Sequence, residues 1–176
     1  MFAACCCCTA HATSQHIAYS TTDEMNGKVN AAAACSVVTP RQVNAFLKRA
    51  VQGCPCTYFA DGKRVKTKYY IDQQLENLFV AASIDNSAPV VTCPLAAIQD
   101  IYLVDDGAGC IPAEVLSALQ PAERELFYMV VFADRGERTA RFCVLDSSRS
   151  SRDICLESLK ILSIGALISP PGSKPA

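Results

Sequence analysis

The sequence predicts an α+β fold: a seven-stranded antiparallel barrel or sandwich closed by a C-terminal α-helix, with an extra helix ahead of the strands. Three observations lead there. Seven short runs of strand-forming residues lie between residues 57 and 145, parted by Gly, Pro, Asp, Asn and Ser turn signals. No βαβ alternation interrupts them, which favours antiparallel pairing. A helical period returns after the last run, at Cys155, Leu159 and Leu162.

Each element has its own local reason. Thr39, Pro40 and Gln42 form a helix start, with Thr as N-cap, Pro at the first position and Gln at the third. Val43, Phe46, Leu47, Ala50 and Val51 then follow at helical spacing, while Arg41, Lys48 and Arg49 lie off that stripe. The stripe is read as packing on the sheet, with a membrane-interface role as the competing reading. Gly53 ends the helix. Strands are expected at 57–59, 64–71, 77–83, 90–93, 98–104, 126–133 and 140–145. Asp61-Gly62 is a hairpin signal between the first two. Turns are expected at 73–76, 85–87 and 135–137, a tight link at 94–97, and a chain break at 105–109. Residues 112–119 read as a short helix and 120–124 as a loop or helical turn. The Ser cluster at 147–151 caps a final helix over 152–164.

Composition narrows the function classes. The 176 residues are 51% hydrophobic and 19% charged, which suits one folded domain with tails. Net charge is −1, so nucleic acid is not expected as a partner. No run of about 18 apolar residues is present to form a spanning helix. His11 and His16 both precede the first helix, so a Cys nucleophile in the domain would have no histidine base. Asp105-Asp106-Gly107 lacks the alternating oxygen ligands of a calcium loop. Gly107-Ala108-Gly109 lacks the setting of a phosphate loop, and Glu123 and Glu125 read as solvated carboxylates. No enzymatic activity and no metal or other cofactor is expected.

Cysteine is over-represented, with 11 in the chain. No secretory signal is recognised ahead of them, so reduced thiols in a cytosolic setting are expected, those of the domain acting as small hydrophobes. Cys54-Pro55-Cys56 has one intervening residue and no second ligand pair, which is poor zinc spacing. Cys5, Cys6, Cys7 and Cys8 are contiguous. Neighbouring thiols in an extended chain diverge, so disulfides within the run are unfavourable. S-acylation suits them: each buried methylene contributes about 0.8 kcal/mol, and two chains hold where one is marginal. Covalent palmitoyl groups are therefore expected on Cys5 to Cys8. Residue 2 is Phe2, so the N-myristoylation pattern is absent.

Lys66-Thr67-Lys68-Tyr69-Tyr70-Ile71-Asp72, Leu78-Phe79-Val80 and the run from Pro94 through Ile98 to Tyr102 resemble the second to fifth strands of the pleckstrin homology (PH) superfold. Glu123 to Val131 and Phe142 to Asp146 resemble its last strands, and Ser151 to Leu162 its closing helix. Many PH domains carry a Trp about four residues before a Leu in that helix; Cys155 takes the place here. The resemblance covers about residues 40–165. A Cys-rich segment ahead of a lone PH-like domain is similar to the apicomplexan inner membrane complex sub-compartment proteins. Those are acylated PH-like proteins of a cortical membrane skeleton. They pair an N-terminal Gly with their cysteines, where this chain has Phe2.

The organisation expected is a flexible Cys-rich anchoring tail at 1–38, a PH-like domain at 39–165 and a disordered tail at 166–176. The resemblance implies a membrane-tethered, non-enzymatic scaffold that contacts a protein of the membrane skeleton. Its place would be the cytoplasmic face of a membrane, peripheral, at the inner membrane complex. The alternative is a reader of phosphoinositide or other anionic headgroups. Lys66-x-Lys68-x-Tyr70, with Lys63 and Arg64 before it, resembles the basic pattern of lipid-binding PH domains. Strand period two puts Arg64, Lys66 and Lys68 on one face.

Overall fold

The computed structural model describes residues 38–134 and 138–168. Cys5 to Cys8, the turn expected at 135–137 and the chain from 169 onward lie outside the described residues.

The first helix, α1 (Pro40–Gln52), starts as its sequence dictates. The Gln42 N–H donates to the Thr39 hydroxyl, and the Thr39 N–H donates to Gln42 Oε1 at 2.8 Å. Val43, Phe46 and Ala50 are buried, so the apolar stripe does pack on the domain. Gly53 closes the helix at φ +108°, a conformation that disfavours a side chain.

Strands β1 (Cys54–Ala60) and β2 (Lys63–Ile71) form a hairpin. Its turn residues Asp61 (φ 48°) and Gly62 (φ 75°) both take positive φ, which matches the right-handed twist of the strands. Strands β3 (Asn77–Ala81) and β4 (Pro89–Pro94) follow, then a 3-10 turn at Leu95–Ala97 and β5 (Ile98–Tyr102). Short helices α2 (Val104–Gly107) and α3 (Ala113–Ala118) and a 3-10 turn at Pro121–Leu126 lead to β6 (Phe127–Asp134). Strand β7 (Arg138–Leu145) precedes the last helix, α4 (Arg149–Ile168).

The antiparallel sheet has the order β4-β3-β2-β1-β7-β6-β5. It is not closed into a barrel, because β4 and β5 do not pair. The 3-10 turn between them makes a corner, its Leu95 is fully buried, and α4 packs across it.

Several boundaries differ from the sequence expectation. Strand β1 begins at Cys54 rather than 57, and Pro55 is tolerated because β7 pairs β1 only at Thr57 and Tyr58. Strand β5 stops at Tyr102, and Val104–Gly107 is a helical turn rather than strand and break. The acids Asp105 and Asp106 sit in its first turn, where the helix dipole favours them, and Val104 is turned into the core. Helix α4 spans Arg149–Ile168, longer at both ends than the 152–164 expected. An isolated Gly165 does not stop a helix without a left-handed turn, and the proline that would comes later, at Pro170.

Two apolar layers result. The inner one joins Phe46 of α1, alternate residues of the strands, and Cys155, Leu156 and Leu159 of α4. The second lies on the opposite face of β6 and β7. There Val104, Ile111, Val115 and Leu119 cover Phe127, Met129, Cys143 and Leu145. Strand β6 is thus buried on both faces, as its unbroken Phe-Tyr-Met-Val-Val run suits.

Candidate functional site

The basic row of β2 faces outward as period two requires. Thr67, Tyr69 and Ile71 point inward and are buried, leaving Arg64, Lys66, Lys68 and Tyr70 on the other side. These residues do not converge on one point. Arg64 pairs with Glu123 of the Pro121–Leu126 turn, and its guanidinium lies 5.6 Å from the centroid of the Phe59 ring. The Arg64 guanidinium, with the Gln120 N–H, holds the Glu123 carboxyl below its ordinary range. Lys63 and Lys66 are exposed, and Lys68 is half-buried beside Gly53. Among the described residues no carboxylate pairs with Lys63, Lys66 or Lys68. Tyr70 stacks on Phe79, its cross-strand partner, with centroids 4.9 Å apart. Its hydroxyl donates to the Ser87 carbonyl at 3.1 Å and so braces the β3–β4 loop.

A second polar feature was not anticipated from the sequence. The Tyr69 hydroxyl donates to Asp146 Oδ2, and Asp146 Oδ1 accepts from the Ser147 N–H at 2.6 Å. Asp146 and Cys54 line a cavity of about 170 Å³, with Arg49, Gln52 and Ser151 among its other walls. The sequence signal was confined to an acid directly after an apolar strand, which does not name its distant partner. None of the basic-row residues lines this cavity.

Five of the six described thiols, all but the half-buried Cys110, behave as core atoms. Burial pushes Cys56, Cys93, Cys143 and Cys155 up to about 12, and it raises Cys54 as well. A thiol so shifted carries almost no thiolate near neutral pH, which is the reverse of nucleophile activation. Among the described residues no His, Cys, Asp and Glu side chains gather as a metal site. No described helix is long and apolar enough to cross a membrane.

No family model and no curated protein matches the sequence. Solved structures match in shape. Inner Membrane Complex Sub-compartment Protein 1 from Toxoplasma gondii aligns with a TM-score of 0.57 at 13% identity, over 76% of this chain and 99% of that one. The fold is PH-like. Sub-compartment Protein 3 of the same organism aligns at a TM-score of 0.50 and 13% identity, over 74% of this chain and 89% of that one.

At such identity the likeness concerns the PH-like fold alone. It accounts for the seven strands and the closing helix. Cys155 of that helix is fully buried, with Sγ 3.5 Å from the Tyr128 hydroxyl. Tyr69, Tyr128 and Phe46 of the added helix belong to the same core cluster.

Proposed function

We propose that this chain is a membrane-tethered, non-enzymatic adaptor. S-acylated Cys5, Cys6, Cys7 and Cys8 hold it at the cytoplasmic face of a membrane, and the PH-like domain contacts a protein of a cortical membrane skeleton. The likeness in fold to two proteins named for the inner membrane complex carries this reading and suggests that membrane as its location. Two further observations support it. The domain's buried thiols are shifted away from nucleophilic use. Arg64, the residue best suited to grip a phosphate, is engaged by Glu123.

A second reading has one observation in its favour. Lys66 and Lys68 lie on the outward face without a paired carboxylate among the described residues, and such a row attracts anionic lipid. The test compares membrane fractions from cells expressing wild type and Cys5/Cys6/Cys7/Cys8→Ser, with thioester exchange on both. An acylated, membrane-bound wild type and a soluble variant are expected. A variant that stays on membranes overturns the anchor. If that retention then vanishes with Lys66→Ala and Lys68→Ala, the lipid reading replaces it.

A further inference from the structure

The charges of the domain are segregated along the chain. Between Val38 and Lys68 one acid, Asp61, stands against seven Lys and Arg. Between Tyr69 and Asp134 one cation, Arg124, stands against ten Asp and Glu. Helix α1 lies in the basic segment and contains no acid. Its buried side is Val43, Phe46 and Ala50. At about 100° per residue, Arg41, Lys48 and Gln52 fall on the opposite side, with Arg49 at its margin, and all four are exposed.

No carboxylate pairs with Arg41, Lys48 or Arg49 among the described residues. Arg41 and Lys48 are roughly 10 Å apart along the helix axis, so the charges are spread out rather than gathered round one phosphate. Asn44 and Ala45 fill the space between them, and this side of α1 exposes no large apolar residue to anchor a protein. A spread of unpaired cations on a convex helix suits an extended anionic surface. It is also distinct from the basic row of β2. Phe46 meets Tyr69 from the inner side of the sheet, with ring centroids 6.5 Å apart, whereas Lys66 and Lys68 point to the outer side. One flat bilayer cannot engage both.

We propose that the outward side of α1 is the side of the domain that faces the membrane, with anionic lipid headgroups as its ligands. The orientation rests on the tethering reading above; the attraction to anionic lipid does not. The chain that carries Cys5 to Cys8 enters the domain at Thr39, directly before α1. An anchor on that chain holds α1 near the bilayer at high effective concentration. Each cation close to an anionic leaflet strengthens binding about fivefold, so three give roughly 100-fold. The acid-rich β5 and α2 lie at the sheet edge three strands from β1 and set no repulsive charge beside this side. Exposed charges are screened at cellular ionic strength, so this contact orients an anchored chain and does not replace the anchor. The Cys5/Cys6/Cys7/Cys8→Ser variant is still expected to leave membranes.

Vesicle sedimentation of the full chain, produced without acyl groups, tests it. Vesicles of phosphatidylcholine alone are compared with an equal mixture of phosphatidylcholine and phosphatidylserine. Binding to the mixed vesicles only is expected at about 0.05 M salt, with its loss at about 0.5 M, where the Debye length is a few ångströms. Arg41→Ala/Lys48→Ala/Arg49→Ala should weaken binding at least ~10-fold, with the thermal unfolding midpoint unchanged because all three side chains are exposed. Arg41→Ala/Lys48→Ala, which spares the cavity wall at Arg49, should weaken it at least ~5-fold. Lys66→Ala/Lys68→Ala should cost less than either. A wild type that ignores the mixed vesicles at low salt overturns the proposal, as does binding that the α1 substitutions leave intact. Binding lost through Lys66→Ala/Lys68→Ala instead overturns it in favour of the β2 row. α1 substitutions that spare vesicle binding but release a protein crosslinked to the chain at the membrane overturn it in favour of an acidic protein. A chain found unacylated in cells would remove the anchor and leave the vesicle result standing, so the two readings fail separately.

Discussion

The phenolic oxygen of Tyr69 lies 3.1 Å from Asp146 Oδ2, joining β2 to the residue that follows β7. Both side chains are buried, and the two positions are 77 residues apart. Tyr69→Phe removes the donor and leaves a buried carboxylate oxygen without it. A loss of about 1–3 kcal/mol is expected in urea unfolding. A loss below ~0.5 kcal/mol would show that water from the adjoining cavity replaces the phenol.

Gly107 is packed against Tyr102. A Cβ there would lie 2.5 Å from Cδ1 and 2.7 Å from Cβ of that side chain. Gly107→Ala should therefore cost about 1–3 kcal/mol, despite the better helix propensity of Ala. Gly165→Ala meets open space and should stabilise the domain by ~0.5–1 kcal/mol. Differential scanning calorimetry of the two variants gives opposite signs, and equal signs would contradict this packing.

The thiols predict an order of reactivity. Cys110 is half-buried, while Cys54, Cys56, Cys93, Cys143 and Cys155 are buried with raised pKa values. Maleimide at pH 8 should label Cys110 first among these six, and the other five only as the domain opens. Peptide mapping by mass spectrometry reads the order. Labelling of Cys56 as fast as Cys110 in folded protein would contradict the burial.

The Arg64–Glu123 pair predicts a pH window. Glu123 has a lowered pKa in the folded domain, so the folded state binds fewer protons than the unfolded one in that range. Its contribution is complete above the unfolded carboxyl value of about 4.3 and is lost as pH falls through the lower native value. Glu123→Gln should cost ~0.2–1 kcal/mol at pH 7, as expected for a partly exposed pair. The difference in melting midpoint should narrow below about pH 4. A difference that persists at about pH 2 would rule out the ionic origin.

The outward row of the candidate site was legible because alternation along one strand is a local property. Period two sufficed to place Arg64, Lys66, Lys68 and Tyr70 on one side of β2. It said nothing of Glu123, which is 59 residues from Arg64 and takes up its charge. The cavity under Asp146 was hidden for the same reason. Its walls come from α1, the start of β1 and the link after β7.

The sequence by itself determined the elements whose causes lie within a few residues. These are the Thr39–Gln42 capping box, the Asp61-Gly62 turn, the alternating strands and the helical period at Cys155, Leu159 and Leu162. Tertiary structure alone decided that the sheet stays open between β4 and β5, and that residues 104–119 cover the second face of β6 and β7. An apolar period states that a face must be covered. What covers it depends on which distant segment the folded chain brings there, and no local pattern encodes that choice.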